Sequence, residues 1–185
     1  MTNVYKTKKT IMSRNEINLT IKRLAGEIIE KNHGTKDLVI IGIRTRGVFL
    51  AERLAAEIKK ISHKIIPIGV LDITLYRDDF TSLSEMPLVK ETQIPFHIEE
   101  KNIILVDDVL FTGRTIRAAL DEIIDFGRPK SIQLAVLVDR GHRELPIQAD
   151  FCGKVFKTSK AEMISVNFKE IDQQDQITLN EQMST

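Results

Sequence analysis

Residues 103–115 read IILVDDVLFTGRT. Ile103, Ile104, Leu105 and Val106 are apolar β-formers in a run too short for a helix and without polar alternation, so they predict a strand covered on both faces. Asp107 and Asp108 end the run. Past Thr112-Gly113-Arg114-Thr115, the residues Ile116, Ala119, Leu120, Ile123 and Ile124 recur at helical spacing. A strand, a loop and a helix start therefore follow one another, the unit from which an α/β fold is built.

That junction favours an anion. Unpaired N–H groups at a helix start, the positive end of its dipole and a glycine that lets backbone approach a ligand make a phosphate seat, to which Thr112 and Thr115 add hydroxyls. The acid pair suits a different task, because carboxylates accept hydrogen bonds from sugar hydroxyls or hold Mg²⁺ and repel a phosphate placed on them. Two opposite polarities thus sit one loop apart, which fits a sugar phosphate held at both ends. Taken alone, a TG step reads as readily as an ordinary βα loop with Thr as the helix cap.

The full stretch resembles the PRPP-binding signature of the type I phosphoribosyltransferases: apolar strand, two acids, three residues, then TG, a basic residue and T. The resemblance implies that Asp107 and Asp108 contact the ribose hydroxyls and hold Mg²⁺, and that the Thr112-Gly113-Arg114-Thr115 loop wraps the 5′-phosphate. Val109, Leu110 and Phe111 line the same substrate site. It also implies the fold: a doubly wound, mainly parallel sheet with flanking helices, a flexible arm and a small hood.

Composition sets bounds on the rest. The chain has 185 residues, 42% hydrophobic and 29% charged, with a formal net charge of +1. This suits one domain, residues 1–185, with a sizeable core, and gives no whole-surface attraction to nucleic acid, although a local basic patch stays open. A single cysteine, Cys152, excludes an internal disulfide framework and a Cys-rich zinc site. With no signal peptide and no apolar run of about 18 residues, a cytoplasmic protein without a membrane partner is expected.

Taken in order, residues 1–12 are basic and polar and read as an N-terminal extension. Ser13 and Glu16 have capping-box spacing ahead of Ile17, Ile21, Leu24, Ile28 and Ile29, a helix that Gly34 stops. Leu38–Ile43 predicts a second buried strand, leading through Arg44-Thr45-Arg46-Gly47 into another amphipathic helix. A glycine after two arginines at a strand's C-terminal end is a place for polyanions, or equally a surface turn. In the resembled family this loop binds pyrophosphate, which gives Thr45, Arg46 and Gly47 that role by resemblance and makes Arg46, with Asp107 and Asp108, an expected catalytic residue.

Residues 65–75 read as one long strand, and 76–100 form a polar stretch too long for an ordinary connection, either a lid or a small hairpin. Related enzymes close a mobile arm over PRPP here, so Arg77 is a candidate contact to pyrophosphate. Ile132–Val138 predicts a further strand delivering Asp139-Arg140-Gly141-His142-Arg143 at its end. His142 reads as a candidate acid or base, or as an ordinary surface histidine. Strands at 151–156 and 163–168 follow, and the tail 170–185 looks peripheral.

The similarity extends further, through LDITLYRDD (71–79) and SIQLAVLVDRGHRELPIQAD (131–150). These phrases resemble the branch of the family that attenuates pyrimidine-operon mRNA and also acts as a uracil phosphoribosyltransferase. The resemblance implies PRPP, uracil and UMP as ligands, with groups near Asp139 and Arg140 reading the uracil edge. It further implies a pyr mRNA leader hairpin bound through Lys22, Arg23, Lys31, Arg143 and Lys154, and a homodimer or larger assembly. Where purine enzymes place an acid before TG, this chain has Phe111, which suits a small base. Gln148 and Lys22-Arg23 depart from the basic and Thr-Arg pattern of many relatives, so a small-base phosphoribosyltransferase without RNA binding is the alternative.

Overall fold

The computed structural model describes residues 5–76 and 91–182. In chain order these form β1 (Tyr5–Ser13), α1 (Arg14–Lys31), β2 (Leu38–Ile43), α2 (Arg46–Ser62), β3 (Ile68–Leu71) and a 3₁₀ turn (Ile73–Tyr76). There follow β4 (Asn102–Leu110), α3 (Arg114–Phe126), β5 (Ser131–Asp139), β6 (Phe151–Val155), β7 (Glu162–Asn167), α4 (Lys169–Asp172) and β8 (Gln176–Gln182).

The main sheet has strand order β3-β2-β4-β5-β6, every neighbouring pair parallel. Strand alternation divides its side chains between two faces. Ile40, Ile104, Val106 and Leu137 point into a core built with Ile17, Ile21, Leu24 and Ile28 of α1 and Leu50, Leu54 and Ile58 of α2. Val39, Ile41, Ile103, Leu105 and Val136 point the other way, onto Ile116, Ala119 and Ile123 of α3. All six residues of β2 are buried, as a strand covered on both faces requires. Each fully buried Ile or Leu contributes about 1.5–3 kcal/mol of transfer free energy, so the two layers hold the sheet edge rigid where its loops emerge. The Ser13–Glu16 capping box forms as expected: the Ser13 hydroxyl accepts from Glu16 N and the Glu16 carboxylate accepts from Ser13 N.

A second, three-stranded antiparallel sheet, ordered β1-β8-β7, forms the hood. It corrects two expectations. Residues 5–13 do not extend from the body but pair along β8, with Lys8 bonded to Glu162 at 3.0 Å and near Glu181 at 3.5 Å. The tail is not peripheral either: β8 is the central strand, and its Ile177 and Leu179 are buried with Ile164, Val166 and Phe168.

The long strand expected over 65–75 is only β3. Asp72 accepts from both Thr74 N (3.1 Å) and Thr74 Oγ1 (2.5 Å) and turns the chain into the 3₁₀ segment. Of the expected arm, residues 77–90, Arg77 among them, lie outside the described residues. Residues 91–100 lie on the body, where Gln93 bridges Val70 and Ile98 is buried.

Candidate active site

From β2 the chain passes through α2 to β3 on one side, and from β4 through α3 to β5 on the other, so the winding reverses between β2 and β4. Ligands of open parallel sheets bind at the C-terminal strand ends over such a reversal. The 44–47 loop follows β2, and Asp107 and Asp108 lie at the end of β4, directly across it. The two are in contact: a Cβ on Gly47 would overlap the Val106 carbonyl and stand 3.3 Å from Asp107 Cα. Only glycine lets the loop sit so close to the acids. The Arg44–Thr45 peptide is cis, Thr45 is exposed, and Arg46 Nη2 donates to Asp172 Oδ1 at 2.9 Å.

Asp107 is buried at 8% exposure and accepts from Asp108 N at 2.9 Å. Burial pushes the Asp108 carboxyl above its ordinary value, against the pull of Asp107 and of the Arg46 charge. A buried acid held ready to ionise beside a cation is a group prepared for a polar ligand. Among the described residues no group of three or more His, Cys, Asp or Glu could hold a metal ion. The acid pair suits Mg²⁺ in the other way that ion is bound, through one or two carboxylates with substrate phosphates and water.

Past β4, Gly113 takes a left-handed conformation (φ 93°) and starts α3. Neither α2 nor α3 has, among the described residues, a side-chain cap or an acid in its first turn, in contrast to α1 with its capping box. Helix starts of this kind are suited to an anion. Arg114 N donates to Thr112 Oγ1 at 3.3 Å, Arg114 Nε to Glu144 at 2.6 Å, and Thr115 is half-buried one residue further on. Val109 is half-buried and Leu110 is buried in the α3 layer.

The segment after β5 backs this loop. The Leu110 carbonyl accepts from Arg140 N (3.0 Å), and that of Thr112 from Glu144 N and Leu145 N (2.9 and 3.2 Å). Arg143 is the main tie: it pairs with the Asp139 carboxylate and donates to the carbonyls of Phe111 (2.7 Å), Ile147 (3.0 Å) and Gly141 (3.2 Å). Burial works against ionisation of Asp139, but Arg143 and the Gly141 N–H hold its carboxyl below the usual value. Arg140 is buried, with its guanidinium 3.9 Å from the centre of the Phe111 ring and bonded to Thr158 Oγ1 and the carbonyls of Ser159 and Glu162. The His142 ring meets Phe111 edge-on at 5.9 Å, and its Nε2 donates to the Thr158 carbonyl. His142 is therefore engaged in structure.

The basic residues expected to meet RNA separate into two places. Lys22, Arg23 and Lys31 lie on α1 and Lys154 on β6, which packs beside it. Arg23 donates to the Cys152 and Gly153 carbonyls, Lys31 pairs with Asp150 at 2.5 Å, Lys154 donates to the Ile11 carbonyl at 3.2 Å, and Lys22 is exposed. Arg143 is not among them, since it lies behind the Thr112 loop. Sequence reasoning missed Asp172, Glu144 and Thr158. No local pattern marks them, because each acts on a residue far away in the chain.

A parallel sheet with acids, a close-packed glycine loop and an uncapped helix start over its reversal defines the phosphoribosyltransferase class. Residues 9–170 match the model of the phosphoribosyl transferase domain. A hypoxanthine-guanine phosphoribosyltransferase from Bacillus anthracis has the same fold, with a TM-score of 0.69 at 20% identity over 96% of this chain and 99% of that one. The chain is 55% identical to the bifunctional protein PyrR of Pelotomaculum thermopropionicum over 174 residues, 94% of this chain and 96% of that protein. It is 54% identical to that of Deinococcus radiodurans over 93% of this chain and 94% of the relative. The chain belongs to the PyrR family.

Proposed function

We propose that the protein transfers the phosphoribosyl group of PRPP to uracil, giving UMP and diphosphate, and that the same site senses UMP and PRPP for a regulator that binds the pyr mRNA leader hairpin. The observation that carries the enzymatic reading is the contact of Gly47 with the end of β4, which puts a diphosphate loop and a ribose-binding acid pair within one substrate's reach.

In this reading Asp107 and Asp108 accept from the ribose hydroxyls, and the backbone and hydroxyls of Thr112, Gly113, Arg114 and Thr115 seat the 5′-phosphate. Thr45, Arg46 and Gly47 take the diphosphate, joined by Arg77. Mg²⁺, held through Asp107 and Asp108 with the substrate's own oxygens, supplies charge neutralisation of the leaving group. As the C1–diphosphate bond breaks, its electron pair leaves with the diphosphate, the sugar gains oxocarbenium character and uracil N1 bonds to C1, the N1 proton passing to the released diphosphate or to water. The chain's share is positioning, together with the Arg46 charge where negative charge accumulates. Phe111 and the segment from Asp139 to His142 wall the base. The face made by α1 and β6 offers Lys22, Arg23, Lys31 and Lys154 to RNA phosphates, and the protein works in the cytoplasm as a homodimer or larger assembly.

A second reading, a small-base phosphoribosyltransferase without RNA binding, is favoured by one observation: Arg23, Lys31 and Lys154 already have partners within the chain. An RNA gel shift separates the two, and substitution of the acid pair tests the site they share. The variant Asp107→Asn/Asp108→Asn should fold and lose uracil conversion, and near-normal turnover would refute the sugar-binding role. A gel shift of a pyr leader hairpin, run with and without UMP, should respond to the nucleotide; no shift leaves the enzyme alone.

A further inference from the structure

Arg46 and Arg53 are seven residues apart on α2, two turns along one face. Both reach the same short acidic turn. Arg53 forks onto Glu170 (2.9 and 2.6 Å), reaches Asp175 at 2.6 Å and lies 4.7 Å from the ring centre of buried Phe168. This pins α4 to the helix. Two turns earlier on α2, Arg46 Nη2 meets Asp172 Oδ1, while Asp172 Oδ2 accepts from Phe168 N at 2.9 Å. The backbone thus fixes the carboxylate that holds the arginine. Arg46 Nε is buried and finds no acceptor among the described residues, a condition that is rare and costly for a donor. The Arg46 charge also acts on the Asp108 carboxyl, favouring its ionised form.

We infer that Asp172 is a positioning residue for the reaction: by holding Nη2 of Arg46, it fixes the half-exposed guanidinium at the 44–47 loop, where the departing diphosphate is proposed to sit, and keeps it from turning onto Asp108. The inference rests on the proposed role of Arg46 as a diphosphate contact. A guanidinium aimed in advance costs no reorganisation when charge develops on the leaving group. Without Asp172, Asp108 is an acid whose charge already interacts with that guanidinium.

The test is Asp172→Asn, which keeps size and an acceptor oxygen but removes the charge, measured beside Arg46→Ala and the double variant with Mg²⁺ present. Asp172→Asn should raise the KM for PRPP and the inhibition constant of diphosphate by roughly tenfold, the loss of a charge-assisted bond, and leave the uracil KM within about twofold. In the Arg46→Ala background it should add nothing. A general structural defect would instead move the uracil KM and persist in that background, which would overturn the inference, as would unchanged PRPP and diphosphate constants in Asp172→Asn. If Arg46→Ala raises the PRPP KM and Asp172→Asn does not, the positioning role alone falls. If Arg46→Ala changes nothing, the diphosphate role of Arg46 falls first. Should Asp172→Asn melt early, Asp172→Glu keeps the charge with a displaced carboxylate, and the same comparison of PRPP against uracil is read there.

Discussion

Replacing Arg143 by alanine separates a structural tie from an RNA contact. The side chain is 23% exposed, and its guanidinium spans the Asp139 carboxylate and the carbonyls of Phe111, Gly141 and Ile147. Hydrogen bonds involving a charged group are worth about 1.5–3 kcal/mol each, but at a rim the released carbonyls partly rehydrate. The net loss is therefore about 2–4 kcal/mol rather than the sum over all contacts. For a chain of this length, each kcal/mol lowers the melting temperature by about 2–4 °C, so calorimetry should show a fall of roughly 5–15 °C. The uracil KM should rise with it, because the freed segment backs Phe111. Arg143→Lys keeps the charge and loses the planar fork, so it should melt nearly as early. If both variants melt within about 2 °C of the parent and keep their uracil KM while losing RNA, the assignment of Arg143 to the loop is wrong.

Three further outcomes follow from particular atoms. The folded-state value of the Asp108 carboxyl lies above the ordinary 3.8, so its stabilising form is the protonated one, complete below about that pH and lost as pH rises through the raised value. Asp108→Asn should then melt higher at neutral pH while turnover is lost, and a lower melting point there would contradict the sign. Gly47→Ala puts a methyl into the Val106 carbonyl, a clash of about 1–3 kcal/mol that moves the loop from the acids; the PRPP KM should climb about tenfold, and an unchanged value would remove the loop from the site. If RNA binds on α1, Lys22→Gln should reduce the slope of log affinity against log salt by about 0.7, read by titration at several salt concentrations.

What could be read from the residues was whatever is local. Strand β4, its acids and the helix after Gly113 are consecutive in sequence, and hydrophobic period, turn chemistry and spacing agree there. Strands β1 and β8 resisted the same reading. From Tyr5 to Thr10 every residue of β1 is exposed, so the strand is held by its backbone ladder and by Lys8, and no apolar alternation marks it. Arg143 was read as an RNA contact because charge is visible in sequence and hydrogen-bond partners are not. Arg46 was found from its loop. Asp172 was not, since the two are 126 residues apart and meet only when α4 folds onto α2.

A protein that reports nucleotide occupancy to a distant face needs an element both touch. On the proposed reading, Arg140 is such an element. One face of its guanidinium lies on Phe111, within the substrate loop, and its nitrogens bond to Ser159 and Glu162 at the start of β7. Glu162 in turn pairs with Lys8 of β1, and Lys154, proposed to meet RNA, donates to the Ile11 carbonyl of the same strand. Burial pulls the Arg140 guanidinium below its usual value, while the Phe111 ring and three acceptors hold the side chain in place. Arg140 thus joins the loop that carries Phe111 to the start of β7.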